Sequence, residues 1–365
     1  MITRRAVCAA TAVVIALIPA TADARSGPGP VGGPRMGERG VIADPHDGAL
    51  PAVSAPAWLI ADATSGNVLA ARDPHHRYRP ASTQKTLLAL TMAPRLDPTG
   101  SYLADMADTK VDGTHLGLVP GQDYSIEDLW YGLFLRSGND AASALARAGA
   151  DGDVGSAVRM MQAEARRLQA DDTTVVNPSG LDADGQLASA YDLALWGRAA
   201  LGREDLRHYF GTAQHTLRNT QIQKTNGQIR TTFVIYTQNH LLADYPGALG
   251  VKSGYTTFAH NTLIAAAQRN GRTMVVTLMA TTRNVYEQAR LLLDWGFAHA
   301  TATPVGTLVD PRSPAFVRAA TVASDPATVT VASRANQRPK QLAAAGAGLV
   351  ALLVWRRRRV VRAGR

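Results

Sequence analysis

One cysteine, Cys8, occurs in 365 residues. It falls inside the first apolar run, so the mature chain is expected to have none; disulfides then contribute nothing and a large core must stabilise the fold. Charge is also scarce. Asp, Glu, Lys and Arg make up 18% of the chain against 46% hydrophobic residues, which excludes a disordered polyelectrolyte and leaves one large domain or two smaller ones. The net charge of +9 would suit a nucleic-acid binder if it were spread evenly. It is concentrated instead: six arginines stand in the last ten residues (Arg356, Arg357, Arg358, Arg359, Arg362, Arg365), and Arg4 and Arg5 open the sequence. Between the ends the chain is nearly neutral, so no nucleic-acid partner is expected. There is no internal repeat. His75-His76 has no third ligand at a helpful spacing, which makes the pair part of a polar loop, and no metal or cofactor is expected.

The ends carry topology signals. Arg4-Arg5, an apolar run from Ala6 to Ile18 and Ala22-Asp23-Ala24 follow the order of a secretory signal peptide, residues 1–24. Residues 25–54, rich in Gly and Pro, read as a linker to a folded body at 55–300, and 301–341 as a second linker. An uncharged apolar segment, 342–355, ends in Trp355, and 356–365 is a basic tail. As a helix that segment spans about 21 Å, short of the roughly 30 Å hydrocarbon core. The tryptophan and the arginines behind it nevertheless suit a C-terminal membrane anchor with a cytoplasmic tail. An interfacial helix or a cleaved tail is the alternative. The body is then expected on the extracytoplasmic face of the cell membrane.

Within the body, Trp58 to Ala61 and Val68 to Ala70 flank Ser65-Gly66-Asn67 as a β-hairpin. Thr83 to Ala93 is a helix closed by Pro94. Ser125 and Asp128 form a capping box for a helix in which Ile126, Leu129, Trp130, Leu133 and Phe134 share one face. Further helices are expected from Asp140, over Ser156 to Ala170, from Ser189 to Leu201 and over Val285 to Trp295. Gly250 to Lys252, Thr262 to Ala267 and Thr273 to Ala280 read as strands. The last two are joined by Asn270-Gly271, a pair suited to two consecutive positive φ angles. This order predicts an α+β fold, an antiparallel sheet covered by helices beside an all-helical half.

Ser82-Thr83-Gln84-Lys85 places a hydroxyl and an amine three residues apart, on one face of a helix start, where first-turn N–H groups favour negative charge. A serine needs a base to become a nucleophile, and a lysine serves if burial or a neighbouring cation lowers its pKa. Taken alone, the motif equally fits a capping serine and a solvated lysine. Ser137-Gly138-Asn139 supplies a second hydroxyl and an amide in a break between helices. Lys252-Ser253-Gly254 puts a cation and a hydroxyl on a strand, with a glycine where a substrate can approach the backbone. Ser65-Gly66-Asn67 matches the second pattern, but its place in a tight turn gives Gly-Asn a sufficient structural reason.

The three motifs in this order resemble the serine penicillin-binding enzymes, specifically the low-molecular-weight D-alanyl-D-alanine carboxypeptidases. The likeness covers about Ala57 to Phe297 and includes Pro80-Ala81-Ser82, Ser137 to Ala142, Asn177-Pro178-Ser179-Gly180-Leu181 and Trp295-Gly296-Phe297. It implies a five-stranded antiparallel sheet flanked by helices plus an all-helical subdomain. It further implies that Ser82 attacks the carbonyl between two D-alanines, Lys85 takes its proton, and Ser137 with Lys252 returns a proton to the leaving amine. Asn139 would hold the peptide, the N–H groups of Ser82 and Tyr255 would form an oxyanion hole beside Gly254, and Ser253 would bind the terminal carboxylate. The partners implied are a peptidoglycan stem peptide and, as covalent inhibitors, β-lactams. Three departures stand out. Lys-Ser-Gly replaces the family's usual Lys-Thr-Gly, and His260 stands where a small residue is usual. The family's carboxylate-binding arginine has Arg283 as its nearest candidate, with an ordinary loop arginine as the other reading. A class A β-lactamase would need a deacylating glutamate, and Asp171 to Asn177 offers none. A transpeptidase or endopeptidase of the same fold, or a non-catalytic wall-binding protein, remains as an alternative.

Overall fold

Continuous runs of Ala, Val, Ile and Leu, buried on both faces, pair into one antiparallel sheet, and helices cover it on either side. The computed structural model describes residues 29–225 and 228–313. All of these belong to one unit of the chain, Met1–Ala319. A second unit, Ala320–Arg365, lies outside the described residues, as do the expected signal peptide, anchor and tail.

In chain order the strands are β1 (Val41–Ile42), β2 (Ala57–Asp62), β3 (Asn67–Arg72), β4 (Arg77–Tyr78), β5 (Ser101–Leu103), β6 (Asp123–Ser125), β7 (Ala188–Ser189), β8 (Gln214–Thr225), β9 (Gln228–Tyr236), β10 (Ala248–Thr256), β11 (His260–Arg269), β12 (Arg272–Thr281) and β13 (Gly306–Thr307). The helices are α1 (Lys85–Met92), α2 (Met106–Thr109), α3 (Ile126–Leu135), α4 (Asn139–Ala148), α5 (Val154–Arg167), α6 (Ala190–Leu201), α7 (Glu204–Phe210), α8 (Leu241–Asp244) and α9 (Val285–Ala298).

The main sheet runs β1-β3-β2-β12-β11-β10, with β13 also on β3. Its five long strands are the expected sheet. The short β1 and β13 cover the outer edge of β3, opposite Ala71-Arg72 and Asn67-Val68, and so occupy N–H and C=O groups an open edge would leave free. Both strands correct the expected boundaries. Within 25–54, Met36 and Ile42 are fully buried, and beyond residue 300, Leu308 is 1% exposed. The described parts of these stretches, 29–54 and 301–313, are therefore part of the body. Two-residue strands and single apolar anchors carry no period for a sequence reading to detect.

Parity sorts the core into two layers. Ala57, Leu59, Ala61, Ile264, Ala266 and Val275 face the side of α1 and α6. Trp58, Ile60, Leu263, Ala265, Met274 and Val276 face α9 through Ala289, Leu292 and Leu293. The α3 cap is half of the expected box. Ser125 Oγ accepts the Asp128 N–H at 3.0 Å, but the Asp128 carboxylate pairs with His215 at 2.6 Å. Asn270 and Gly271 take φ of 50° and 75°, as their turn requires. The β8–β9 hairpin is an addition to the expected elements. Asn226-Gly227 between its strands is the same turn signal, but the polar flanking residues do not alternate clearly.

Candidate active site

Pro80 and Ala81 deliver the chain into a 3-10 turn, Ala81–Gln84, that runs into α1. Ala81 has φ of 48°, a region costly for any residue with a Cβ. Two hydroxyls hold it there: Thr83 Oγ1 and Thr262 Oγ1 donate to the Pro80 carbonyl at 2.6 and 2.8 Å. Ser82 sits on this turn, half-exposed among buried neighbours, and makes no cap bond.

Lys85 is fully buried. Its Nζ lies 2.9 Å from Ser82 Oγ, 2.6 Å from Asn139 Oδ1 and 2.9 Å from the Ser179 carbonyl. Burial, then the nearby Lys252 cation, push its pKa well below the usual lysine range against the pull of Asp140. A neutral amine has two hydrogens and one lone pair. The hydrogens suffice for Asn139 and Ser179, which leaves the lone pair for the Ser82 hydroxyl. Lys252 is 2% exposed, and burial brings its pKa down to about 7. Its Nζ donates to the Ser253 carbonyl at 2.8 Å.

Ser137 lies between α3 and α4 with φ of 57°, buried in the break expected there. Asn139 opens α4; its backbone N–H donates to the Thr114 carbonyl at 2.7 Å and its Nδ2 to the Asp112 carbonyl at 2.5 Å. Asp140 carries no expected role, yet its carboxylate accepts the N–H groups of Leu116, Gly117 and Leu118 at 2.8, 2.8 and 3.0 Å. It clamps the 112–118 loop over the motif.

Two glycines allow backbones to meet at the serine. A Cβ on Gly254 would stand 2.6 Å from Ser82 N and 2.6 Å from Thr262 Oγ1, so only glycine lets β10 pass this close. Gly180, with φ of 86°, faces the Ala81 carbonyl, which a Cβ would overlap. Asn177 and Gln186 shape the loop that presents Ser179. Asn177 Oδ1 accepts the Gly180 N–H at 2.9 Å, and Gln186 Oε1 accepts the Asn177 N–H at 2.8 Å and the Gln84 amide at 3.1 Å. Gln186 is an ordinary polar position in sequence, whereas Asn177, Ser179 and Gly180 lie in the Asn177 to Leu181 stretch that carries the resemblance.

Ser82, Lys85, Asn139, Lys252 and Gly254 thus converge where β10, the terminal strand of the sheet, leaves one edge open. The Tyr255 side chain is 65% exposed. Arg283 is exposed between β12 and α9, and its side chain makes no hydrogen bond or ion pair among the described residues. His260 begins β11 with φ of 55° at the rim. Both ring nitrogens of His75 are taken, by Asp172 at 2.7 Å and the Val31 carbonyl at 2.9 Å. Ser65-Gly66-Asn67 forms the β2–β3 turn, with Gly66 at φ of 82°.

Comparison with known proteins covers the same region. A family model described as D-alanyl-D-alanine carboxypeptidase, Peptidase S11, matches residues 44–282. The chain is 38% identical over 270 residues to the D-alanyl-D-alanine carboxypeptidase DacB2 of Mycobacterium tuberculosis, an alignment covering 72% of this chain and 89% of that protein. It is 30% identical over 256 residues to DacF of Bacillus subtilis, covering 68% of this chain and 63% of that longer protein. Among solved structures it is similar to a D-alanyl-D-alanine carboxypeptidase from Mycobacterium tuberculosis H37Rv, with TM-score 0.66 and 35% identity over 74% of this chain and 99% of that one. It is also similar to the Streptomyces K15 DD-transpeptidase, with TM-score 0.64 and 26% identity over 69% of this chain and 100% of that one.

Proposed function

The chain belongs to the D-alanyl-D-alanine carboxypeptidase family, and from that membership we propose how its own residues hydrolyse the terminal D-Ala-D-Ala bond of a peptidoglycan stem peptide. Neutral Lys85 takes the Ser82 proton as Oγ attacks the carbonyl between the two D-alanines. The oxyanion forms against the N–H groups of Ser82 and Tyr255, donors worth about 3 to 4 kcal/mol each. The close passage of Gly254 beside Ser82 N supports this pairing of donors. Lys252, through Ser137, supplies a proton to the leaving nitrogen, and D-alanine departs. The proton on Lys85 passes back to Lys252 through Ser137; neutral Lys85 then takes a proton from the water that attacks the acyl-enzyme and gives it to Ser82 Oγ, so that the shortened peptide leaves with Ser82 and both lysines restored. Asn139 holds the acyl side of the peptide, while Ser253, with Arg283 as the candidate arginine, receives the terminal carboxylate. A β-lactam would acylate the same serine.

The observation that carries this reading is the 2.9 Å approach of Lys85 Nζ to Ser82 Oγ in a site where burial disfavours the ammonium form. The protein is expected to be labelled by a fluorescent penicillin and to release D-alanine from a pentapeptide, and Ser82→Ala to lose both. Labelling that survives the substitution overturns the nucleophile. Labelling without D-alanine release favours transfer to an amine, the reaction in the Streptomyces protein's name. Among the described residues no helix is long and apolar enough to cross a membrane. Residues 342–355, outside them, are proposed as the anchor that holds the enzyme at the outer face of the cell membrane.

A further inference from the structure

The two N–H groups assigned to the oxyanion come from different elements, Ser82 from the turn before α1 and Tyr255 from β10. Their spacing depends on what ties that turn to the sheet. Thr262 of β11 stands directly opposite Gly254 in the β10–β11 pairing. Towards β12 the register slips between Asn261 and Leu263, so that Met279 and Ala280 together face Thr262, and Ala280 takes φ of 55°. A bulge of this kind raises the local twist and re-aims side chains. Thr262 is fully buried, and its hydroxyl leaves the sheet to donate to the Pro80 carbonyl at 2.8 Å. Gly254 opens the way: a Cβ there would lie 2.6 Å from this hydroxyl and 2.6 Å from Ser82 N.

The Pro80 carbonyl belongs to the peptide in front of Ala81, whose φ of 48° sets the direction of the next peptide, the one that carries the Ser82 N–H. Alanine prefers negative φ, so the turn keeps this form only under restraint. Thr83 Oγ1 also donates to the Pro80 carbonyl, at 2.6 Å. Thr83 lies inside the turn and moves with it, whereas Thr262 is held by the strands on either side. We infer that Thr262 is a positioning residue for the oxyanion hole, its hydroxyl fixing the Ser82 N–H in place against the Tyr255 N–H. The inference rests on those two groups being the oxyanion donors. A hydroxyl has one hydrogen to give, and Thr262 spends it on Pro80, so it acts through the turn and not on the substrate.

The test uses the full chain and follows acylation by a fluorescent penicillin as a rate per labelled site, so that unfolded molecules do not count. Thr262→Val keeps the volume and the β-branch but has no hydroxyl. It is expected to slow acylation by about threefold to tenfold, the weight of one hydrogen bond, with the affinity for penicillin before acylation unchanged. On a D-Ala-D-Ala peptide kcat is expected to fall with KM unchanged, because acylation and deacylation use the same two donors. Thr262→Ala is expected to slow acylation likewise, and Thr262→Ser, smaller but with the hydroxyl kept, to restore most of the rate. An unslowed Thr262→Val, a Thr262→Ser as slow as Thr262→Ala, or a loss confined to the affinity before acylation would each overturn the role. Ser82→Ala is run alongside. Labelling that survives there removes the serine mechanism and this inference with it, whereas an inert Ser82→Ala beside an unslowed Thr262→Val overturns the role of Thr262 alone.

Discussion

A lysine that is to accept a proton must be neutral when the serine attacks, and burial favours that form of Lys85; it also lowers the pKa of Lys252. For Lys252 the shift has a consequence that is measurable without substrate. Its pKa falls from 10.5 to about 7 on folding. Between those values the unfolded chain holds the proton and the folded chain releases it, so the unfolded state binds more protons and stability rises with pH across that window. Below about 7 both states hold the proton and the cost of burying the cation is present in full. Lys252→Met is expected to remove this share of the rise. Urea unfolding at a pH below the window and again near its top checks it; an undiminished slope would mean that Lys252 titrates normally.

At the scale of elements, the site depends on how closely β10 passes the turn before α1. Gly254→Ala puts a methyl 2.6 Å from Ser82 N, so the strand must retreat and carry the Tyr255 N–H with it. Acylation by penicillin is expected to slow by about a hundredfold or more, the usual loss for one oxyanion donor, with a melting temperature lowered only modestly. An unaffected rate would place the second donor elsewhere. Much of this geometry was legible in sequence. Ser82 and Lys85 lie three residues apart, Asn270-Gly271 marks a turn, and Ser125 and Ser189 cap helices, because each is a relation between near neighbours. What was not legible is long in range. Thr262 acts by donating to Pro80, 182 residues away, and Asp140 by gathering amides of a loop more than twenty residues upstream. Either side chain alone resembles any strand threonine or helix-start aspartate.

At the scale of the whole molecule, the body is bounded by segments from its two ends. Thr307 N–H donates to the Gly32 carbonyl at 2.9 Å, while β1 and β13 share the outer edge of β3, at the opposite end of the sheet from β10. The described body is therefore almost a closed ring, broken at one seam remote from the catalytic edge. A ring can be cut elsewhere. Joining the segment after β13 to the one before β1 through a short flexible linker, and opening the chain at the exposed Asp151-Gly152 turn between α4 and α5, is expected to yield a circular permutant that still binds penicillin and releases D-alanine. Loss of both in a soluble permutant would show that the seam depends on how its two strands are connected. Survival would mean that chain order is dispensable here: what the catalytic edge needs is the far seam held shut, by whichever covalent route.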